Sequence, residues 1–209
     1  ILLFTNFEYE YQGIRAMLVG DVYCSWDCTS NKIPVIDYLL DLGLLGDDLY
    51  WYHDFDAYQN HAFTQTVLGL KGVDLGLTTY VYRPQWNCGS FFFKRSAKDI
   101  FRLWSETIIA RGRRRRADEK ALKNLTDNKL IDGQRYERLN ATYNIPYQDV
   151  AFSYYKAEKP FKVLHFHPYV QDYRLPNTIL NIFMYGKNRL GFPLMSERLI
   201  KIFHKHGIK

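Results

Sequence analysis

The sequence predicts an α/β fold with a mostly parallel central sheet and helices on both faces. Segments with strand character alternate with segments of helical periodicity along nearly the whole chain. The 209 residues are 47% hydrophobic, which excludes a disordered tail, and three cysteines cannot staple a chain of this length as they do in disulfide miniproteins. No stretch approaches the roughly 20 uninterrupted apolar residues of a membrane-spanning helix, so no transmembrane segment is expected.

The N-terminal half begins with a predicted buried strand at 1–4, which runs into the polar pair Thr5 and Asn6. A helix is expected at 13–22. A second helix is expected from Pro34, because apolar residues then recur at helical spacing and proline suits a first helical turn.

A short predicted strand at 49–52 leads directly into Asp54 and Asp56. In an extended chain, residues i and i+2 point to the same side. Two carboxylates on one side repel each other unless a cation lies between them, and oxygen ligands suit Mg²⁺ or Mn²⁺. The pair therefore indicates a divalent-metal site, with a simple turn at the strand end as the competing interpretation.

Three further strands are predicted in the rest of the chain, at 75–82, 90–93 and 161–167. A long helix is expected after a capping signal at Ser96, because apolar residues follow at helical spacing. A short helix is expected at 118–125, and two more helices are expected to close the chain.

His165 and His167 lie in the last predicted strand, where alternate residues share a face. Neutral imidazole is a good Mn²⁺ ligand and would complete a site begun by the aspartates. A hydrogen-bonded pair of histidines at a sheet edge is the competing interpretation. Because parallel α/β sheets bind ligands beyond the carboxyl ends of their strands, Thr5 and Asn6, the aspartates and the histidines are expected to converge there.

The formal net charge of +6 is concentrated in the arginine run at 111–116 and in the tail at 185–209. Clustered cations suit a nucleic-acid partner, a phosphate-bearing substrate or an anionic surface. A solvated arginine loop and a basic surface helix explain the same pattern. The odd number of cysteines, with no C-x-x-C pair, favours a reducing compartment and hence the cytoplasm, although a chain that does not begin with Met leaves the secretory lumen open.

Six short motifs stand in a characteristic order along the chain. They are Thr5-Asn6 with Tyr9 or Tyr11 and Gly13, the D-x-D at Asp54 and Asp56, the segment 86–92 with Asn87 and Gly89, the helix start at 118–122, the segment 139–144, and the segment 163–166. In this order they resemble the GT-A class of glycosyltransferases, and most closely the retaining, glycogenin-like group (glycosyltransferase family eight). A viral glycosyltransferase domain is a further resemblance. Two features depart from the group's pattern. Glu119 stands where the group usually has glutamine, and the motif G-x-x-K-P-W, whose lysine binds the diphosphate, does not follow His165.

The resemblance implies a single Rossmann-like GT-A catalytic domain over 1–209, as a fragment of a longer protein. Its nucleotide-binding part would cover about 1–85 and its acceptor and catalytic part about 86–209. The implied metal ligands are Asp54, Asp56 and His165, with His167 as the alternative imidazole. The implied donor-binding residues are Thr5, Asn6, Tyr11, Asp54, Asn87 and Gly89, and the implied catalytic carboxylates are Asp118 and Glu119.

The activity implied by the resemblance is transfer of a sugar from a nucleoside diphosphate sugar, a UDP-sugar in this group, to a carbohydrate or glycoprotein acceptor. The cofactor would be Mn²⁺ or Mg²⁺, configuration would be retained, and no nucleic acid would take part. Two alternatives stay open. One is a nucleic-acid-binding module that uses the arginine run, and the other is a metal-dependent hydrolase of nucleotide sugars.

Overall fold

A computed structural model describes residues 4–5, 7–11, 13–22, 29–54, 57–59, 61–64, 70, 72–80, 84–112, 117–146 and 156–165. The α-helices in these ranges are α1 (Lys32–Asp41), α2 (Lys98–Arg111) and α3 (Ala117–Asp127). The strands are β1 (Phe4–Thr5), β2 (Glu10–Tyr11), β3 (Ile14–Arg15), β4 (Met17–Leu18), β5 (Leu49–His53), β6 (Ala57–Gln59), β7 (Leu75–Thr79), β8 (Trp86–Lys94), β9 (Tyr136–Arg138), β10 (Ile145–Pro146) and β11 (Val163–His165).

The main sheet has four strands in the order β5-β8-β7-β9, and a second sheet has three in the order β10-β11-β6. The predicted α/β class is confirmed. The predicted predominance of parallel strands is wrong for the main sheet, because β8 runs antiparallel to both β5 and β7, and only β7 and β9 are parallel. The reason lies in the connection at 80–85, which is too short for the crossover that parallel neighbours require.

All three described helices contribute to one core cluster on one face of the main sheet. Phe91 and Phe93 of β8 point into that cluster, while Phe92 between them points to the opposite face, as the pleat of a strand requires. There Phe92 packs with Leu139 and Tyr143 in a smaller cluster. Within the described ranges, helices therefore cover one face of the sheet rather than the predicted two.

The helix and strand predicted before the aspartates are confirmed as α1 and β5. Helix α1 ends before Gly43, whose positive φ of 68° suits glycine. The predicted helix at 13–22 is wrong, since this segment forms β3, β4 and a short 3₁₀ turn. Gly13, with a φ of 77°, makes the tight turn between β2 and β3, where a helix cannot continue.

Helix α2 buries the predicted apolar stripe, including Ile100, Trp104 and Ile108. The predicted capping role of Ser96 is wrong, because Ala97 is the N-cap residue and the Ser96 hydroxyl donates to the Asp74 carboxylate. No helix in the described part of the chain is both long enough and apolar enough to cross a bilayer.

Arg135 joins the start of α2 to the start of β7. Its Nε donates to Oδ2 of Asp74 at 2.7 Å, and its Nη2 donates to Oδ1 of Asp99 at 2.8 Å and to the backbone oxygen of Ser96 at 2.6 Å. The hydrogen bond from Arg135 lowers the pKa of Asp99. The partly exposed guanidinium of Arg135 therefore links the segment before β9 to the start of β7 and to the start of α2.

We predict that Arg135→Gln lowers the free energy of unfolding by roughly 1 kcal/mol at pH 7, a size that allows for solvent screening. Because the pKa of Asp99 lies below its ordinary 3.8 in the folded state, its contribution is present above that pH and is lost as the pH falls through the folded pKa. The difference between wild type and variant should therefore shrink in acid. Urea unfolding at several pH values measures it.

The matched control is Arg95→Gln, because the Arg95 guanidinium lies 3.8 Å from the exposed Asp47 carboxylate and should contribute little. Equal losses for both variants, or a loss for Arg135→Gln that stays constant down to pH 2, would contradict this account of the ion-pair cluster.

Candidate functional site

Two of the predicted metal ligands, Asp54 and His165, meet at the edge of the main sheet. Asp54 directly follows β5, and His165 is the last residue of β11. The strand β6, which begins just after the D-x-D, pairs antiparallel with β11 and places Ala57 opposite His165. As a result, Nε2 of His165 lies 3.7 Å from Oδ2 of Asp54. The imidazole is buried, and the carboxylate keeps 28% of its surface exposed.

Gly89 occupies a bulge of β8 beside this pair. The register steps from Leu77 opposite Phe91 to Thr78 opposite Asn87, so the β8 residues 88–90 have no counterpart in β7. A Cβ at Gly89 would lie 1.7 Å from Cε1 of His165, so any residue other than glycine would overlap the imidazole ring. The Gly89 carbonyl also accepts the backbone N–H of Asp54 at 2.8 Å. Gly89 therefore contacts both members of the pair.

Lys32 supplies the cation of the site, and sequence reasoning did not identify it. Its buried Nζ lies 3.0 Å from Oδ1 of Asp54 and 3.4 Å from Oδ2 of Asp118. Burial by itself lowers the pKa of Lys32, but the Asp118 and Asp54 carboxylates outweigh it and raise that pKa well above its usual value. Tyr52 completes the cluster, since its hydroxyl donates to Oδ1 of Asp54 at 2.7 Å.

One signal in the sequence could have pointed to Lys32. It is the first residue of α1, and a cation in the first turn of a helix is unfavourable for the helix dipole. A lysine at that position therefore needs a stabilising partner outside its own helix, which the two carboxylates provide.

Asp118 is held at the start of α3 by contacts at its backbone and its side chain. Its N–H donates to Oγ of Ser30 at 3.1 Å, and its carbonyl accepts Nε1–H of Trp104 at 2.9 Å. The carboxylate is buried and faces Lys32. Since Lys32 also binds Asp54, one ammonium joins the predicted catalytic carboxylate to the predicted metal ligand.

Glu119 makes different contacts from its neighbour. Its Oε1 accepts the Tyr80 hydroxyl and its Oε2 accepts Nε2–H of Gln85, both at 2.7 Å. Tyr80 and Gln85 close the connection between β7 and β8 through a backbone hydrogen bond of 2.9 Å. These hydrogen bonds tie Glu119 to the two ends of that connection.

Asn87 lies beside the bulge with its side chain fully buried. Its Oδ1 accepts the N–H of Gly89 at 3.1 Å, and its Nδ2 has no hydrogen-bond partner in the described part of the chain. Thr5, by contrast, uses its hydroxyl locally, as a donor to the carbonyl of Phe7. Outside the described residues lie Asn6, Asp56, His167, the side chain of Tyr11 and the arginines at 113–116.

The donor set fits a divalent ion. A carboxylate oxygen and an imidazole nitrogen suit Mn²⁺, and their separation of 3.7 Å is short enough for both atoms to lie about 2 Å from one ion. The described residues contain no group of three His, Cys, Asp or Glu side chains that could hold a metal. A third protein ligand would therefore have to come from a residue beyond them, such as Asp56.

A separate groove of about 460 Å³ opens where β7 ends and β8 begins. Trp86 lines the groove. Its indole N–H is donated to Oγ1 of Thr126 at 3.0 Å, and the guanidinium of Arg138 lies 5.6 Å from the centre of its ring. Tyr136 and the ion pair of Lys123 and Asp127 also line it. The groove thus combines an aromatic wall with polar groups of both charges.

No protein-family model and no curated protein sequence matches the chain. Solved structures do match. Glycosyltransferase GlyE from Streptococcus pneumoniae TIGR4 aligns with a TM-score of 0.50 at 15% identity over 94% of this chain and 50% of that one. Its apo form aligns with a TM-score of 0.48 at 16% identity over 85% and 46%. Mouse xyloside xylosyltransferase 1, in its apo form, aligns with a TM-score of 0.37 at 13% identity over 63% and 64%.

The first of these matches shows that the chain has a glycosyltransferase fold. The chain spans about half the length of the GlyE structures. At this level of identity the likeness concerns the fold alone, so substrate and chemistry must be argued from the residues of the site.

We predict that Gly89→Ala displaces His165, because the added methyl group would overlap the imidazole ring. Stability should fall by roughly 2–4 kcal/mol, as for an overpacked and strained core position. The side-chain resonances of His165 should also move. Thermal unfolding and NMR measure the two effects.

The control variant is Gly76→Ala in the neighbouring strand, where the atoms nearest to an added methyl group would be the side-chain ends of Leu70 and Leu139. It should lower stability without moving His165. If Gly89→Ala left the His165 resonances in place, the close packing of these two residues would be refuted.

Proposed function

We propose that this chain carries the catalytic site of a metal-dependent glycosyltransferase that transfers a sugar, with retention, from a UDP-sugar to a carbohydrate or glycoconjugate acceptor. The observation that supports this proposal is the meeting of Asp54 and His165 against Gly89, in a chain with a glycosyltransferase fold. A carboxylate and an imidazole at the edge of an α/β sheet are suited to a divalent ion and its diphosphate.

Asp54 and His165, with Asp56, would hold Mn²⁺ or Mg²⁺, which when bound neutralises charge on the diphosphate leaving group. Lys32 orients both carboxylates through its contacts at 3.0 and 3.4 Å. Asp118 would orient the donor sugar and stabilise positive charge that develops at the ring carbon.

Asn87 would contact the donor sugar, because its buried Nδ2 is a donor with no partner in the described part of the chain. The groove beside Trp86 would receive the acceptor. In this groove the negative charge of Asp127 partly offsets the positive charges of Arg138 and Lys123, and Tyr136 adds an aromatic surface. The groove therefore suits a polyhydroxylated ligand better than a polyanion.

The proposal predicts that UDP with Mn²⁺ raises the melting temperature of the wild-type protein by several degrees, while UDP alone does so weakly. Asp54→Asn should weaken Mn²⁺-dependent UDP binding at least tenfold, because it removes a charged ligand and leaves Lys32 with one carboxylate fewer. Calorimetry measures the affinities. Asp47→Asn, at an exposed carboxylate, is the control and should bind as wild type does.

Equal UDP affinities for wild type and Asp54→Asn would contradict the metal-site proposal. Incubation with UDP-sugars then separates the activities: a transferase accelerates sugar release when acceptor glycans are present, whereas a hydrolase releases free sugar at full rate without them. Salt-sensitive RNA binding that Asp54→Asn leaves unchanged, together with no UDP binding, would favour the nucleic-acid alternative.

A further inference from the structure

We propose that Asn144 is a positioning residue, whose side-chain amide holds the β8 bulge in the shape that sets Gly89 against His165. This inference deepens the proposed function and rests on it, because the contact of Gly89 with His165 matters for sugar transfer only if His165 binds the metal ion.

Asn144 bridges the two ends of the bulge. Its fully buried Nδ2 donates to the carbonyl of Asn87 at 3.2 Å and to the carbonyl of Ser90 at 3.3 Å. The three residues 88–90 have no counterpart in β7, so the regular ladder between β7 and β8 is interrupted there. One amide group therefore replaces part of the missing ladder and fixes the span across the bulge.

The residue before Asn144 strengthens the same connection. The hydroxyl of Ser90 donates to the carbonyl of Tyr143 at 3.0 Å and accepts the indole N–H of Trp51 at 2.9 Å. The bulge is thus attached to Tyr143 and Asn144 through both the side chain and the backbone of Ser90.

Asn144 is also linked along the backbone to a strand that lies beside His165. It immediately precedes β10, which pairs parallel with β11 and places Pro146 opposite His165. A single residue is therefore hydrogen-bonded to the strand that carries Gly89 and bonded covalently to the strand that neighbours His165. The position of Asn144 therefore sets how closely β8, which carries Gly89, approaches β11, which carries His165. This approach is close, because a Cβ at Gly89 would leave no room for the imidazole.

The chemistry of the contacts requires an amide at position 144. Both hydrogen bonds are donated by Nδ2, and Oδ1 has no partner in the described part of the chain. Aspartate has the same shape but no donor, and it would turn a carboxylate toward two carbonyl oxygens. Serine would keep one donor on a shorter side chain.

Asn144→Asp should therefore loosen the bulge and change the surroundings of His165. In ligand-free protein at a fixed pH, the His165 imidazole resonances should shift, with their assignment taken from their loss in His165→Gln. Mn²⁺ affinity should fall about tenfold, as when the support of a metal ligand is lost. In the sugar-transfer assay, kcat should fall more than the acceptor KM rises, because the acceptor groove is untouched.

The matched control is Asn140→Asp, the same substitution four residues earlier. There Oδ1 accepts the N–H groups of Thr142 and Glu158, both at 3.0 Å, and a carboxylate keeps both bonds. This variant should leave the His165 resonances and Mn²⁺ affinity unchanged. If Asn144→Asp does not fold, Asn144→Ser tests the same point and should give a smaller shift in the same direction.

A folded Asn144→Asp or Asn144→Ser variant with wild-type His165 resonances would overturn the inference. The two proposals fail separately. The resonance shift is read without metal or nucleotide, so its presence supports the positioning role even if wild-type protein binds no UDP. Its absence refutes that role even if the protein transfers sugar.

Discussion

The site depends on the ion pairs that the buried ammonium of Lys32 makes with the carboxylates of Asp54 and Asp118. Charges taken out of water cost several kcal/mol each unless they are paired and hydrogen-bonded, and here each group has partners. Tyr52 donates to Asp54, and the backbone of Asp118 is held by Ser30. The start of α1, the end of β5 and the start of α3 are therefore fixed together by one group of charges.

His165 reaches this cluster by a different route, through the second sheet. The strand that follows the D-x-D pairs with β11, and the bulge at Gly89 removes the side chain that would otherwise fill the space of the imidazole. Backbone geometry thus brings His165 to Asp54, whereas charge brings Lys32 to it. The carboxylate of Asp54 is the common point, and its partial exposure leaves it accessible to a ligand.

Sequence reasoning found the parts of the site that local pattern determines. Asp54 was identified because it follows a strand, and His165 because alternate residues of a strand share a face. Lys32 was missed because its role depends on contacts with two distant elements. Sequence reasoning pairs Glu119 with Asp118, but neighbours on a helix point about 100° apart, and Glu119 accepts hydrogen bonds from Tyr80 and Gln85. The antiparallel β8 could have been predicted from the short connection that precedes it.

The central claim is that Asp54 and His165 bind one divalent ion together with the nucleotide. Pulsed electron paramagnetic resonance of the Mn²⁺–UDP complex measures this directly, because a bound imidazole nitrogen couples to the manganese electron spin. The account predicts coupling to one histidine nitrogen in wild-type protein and its loss in His165→Gln. A complex without nitrogen coupling, or one whose coupling survives His165→Gln, would contradict it.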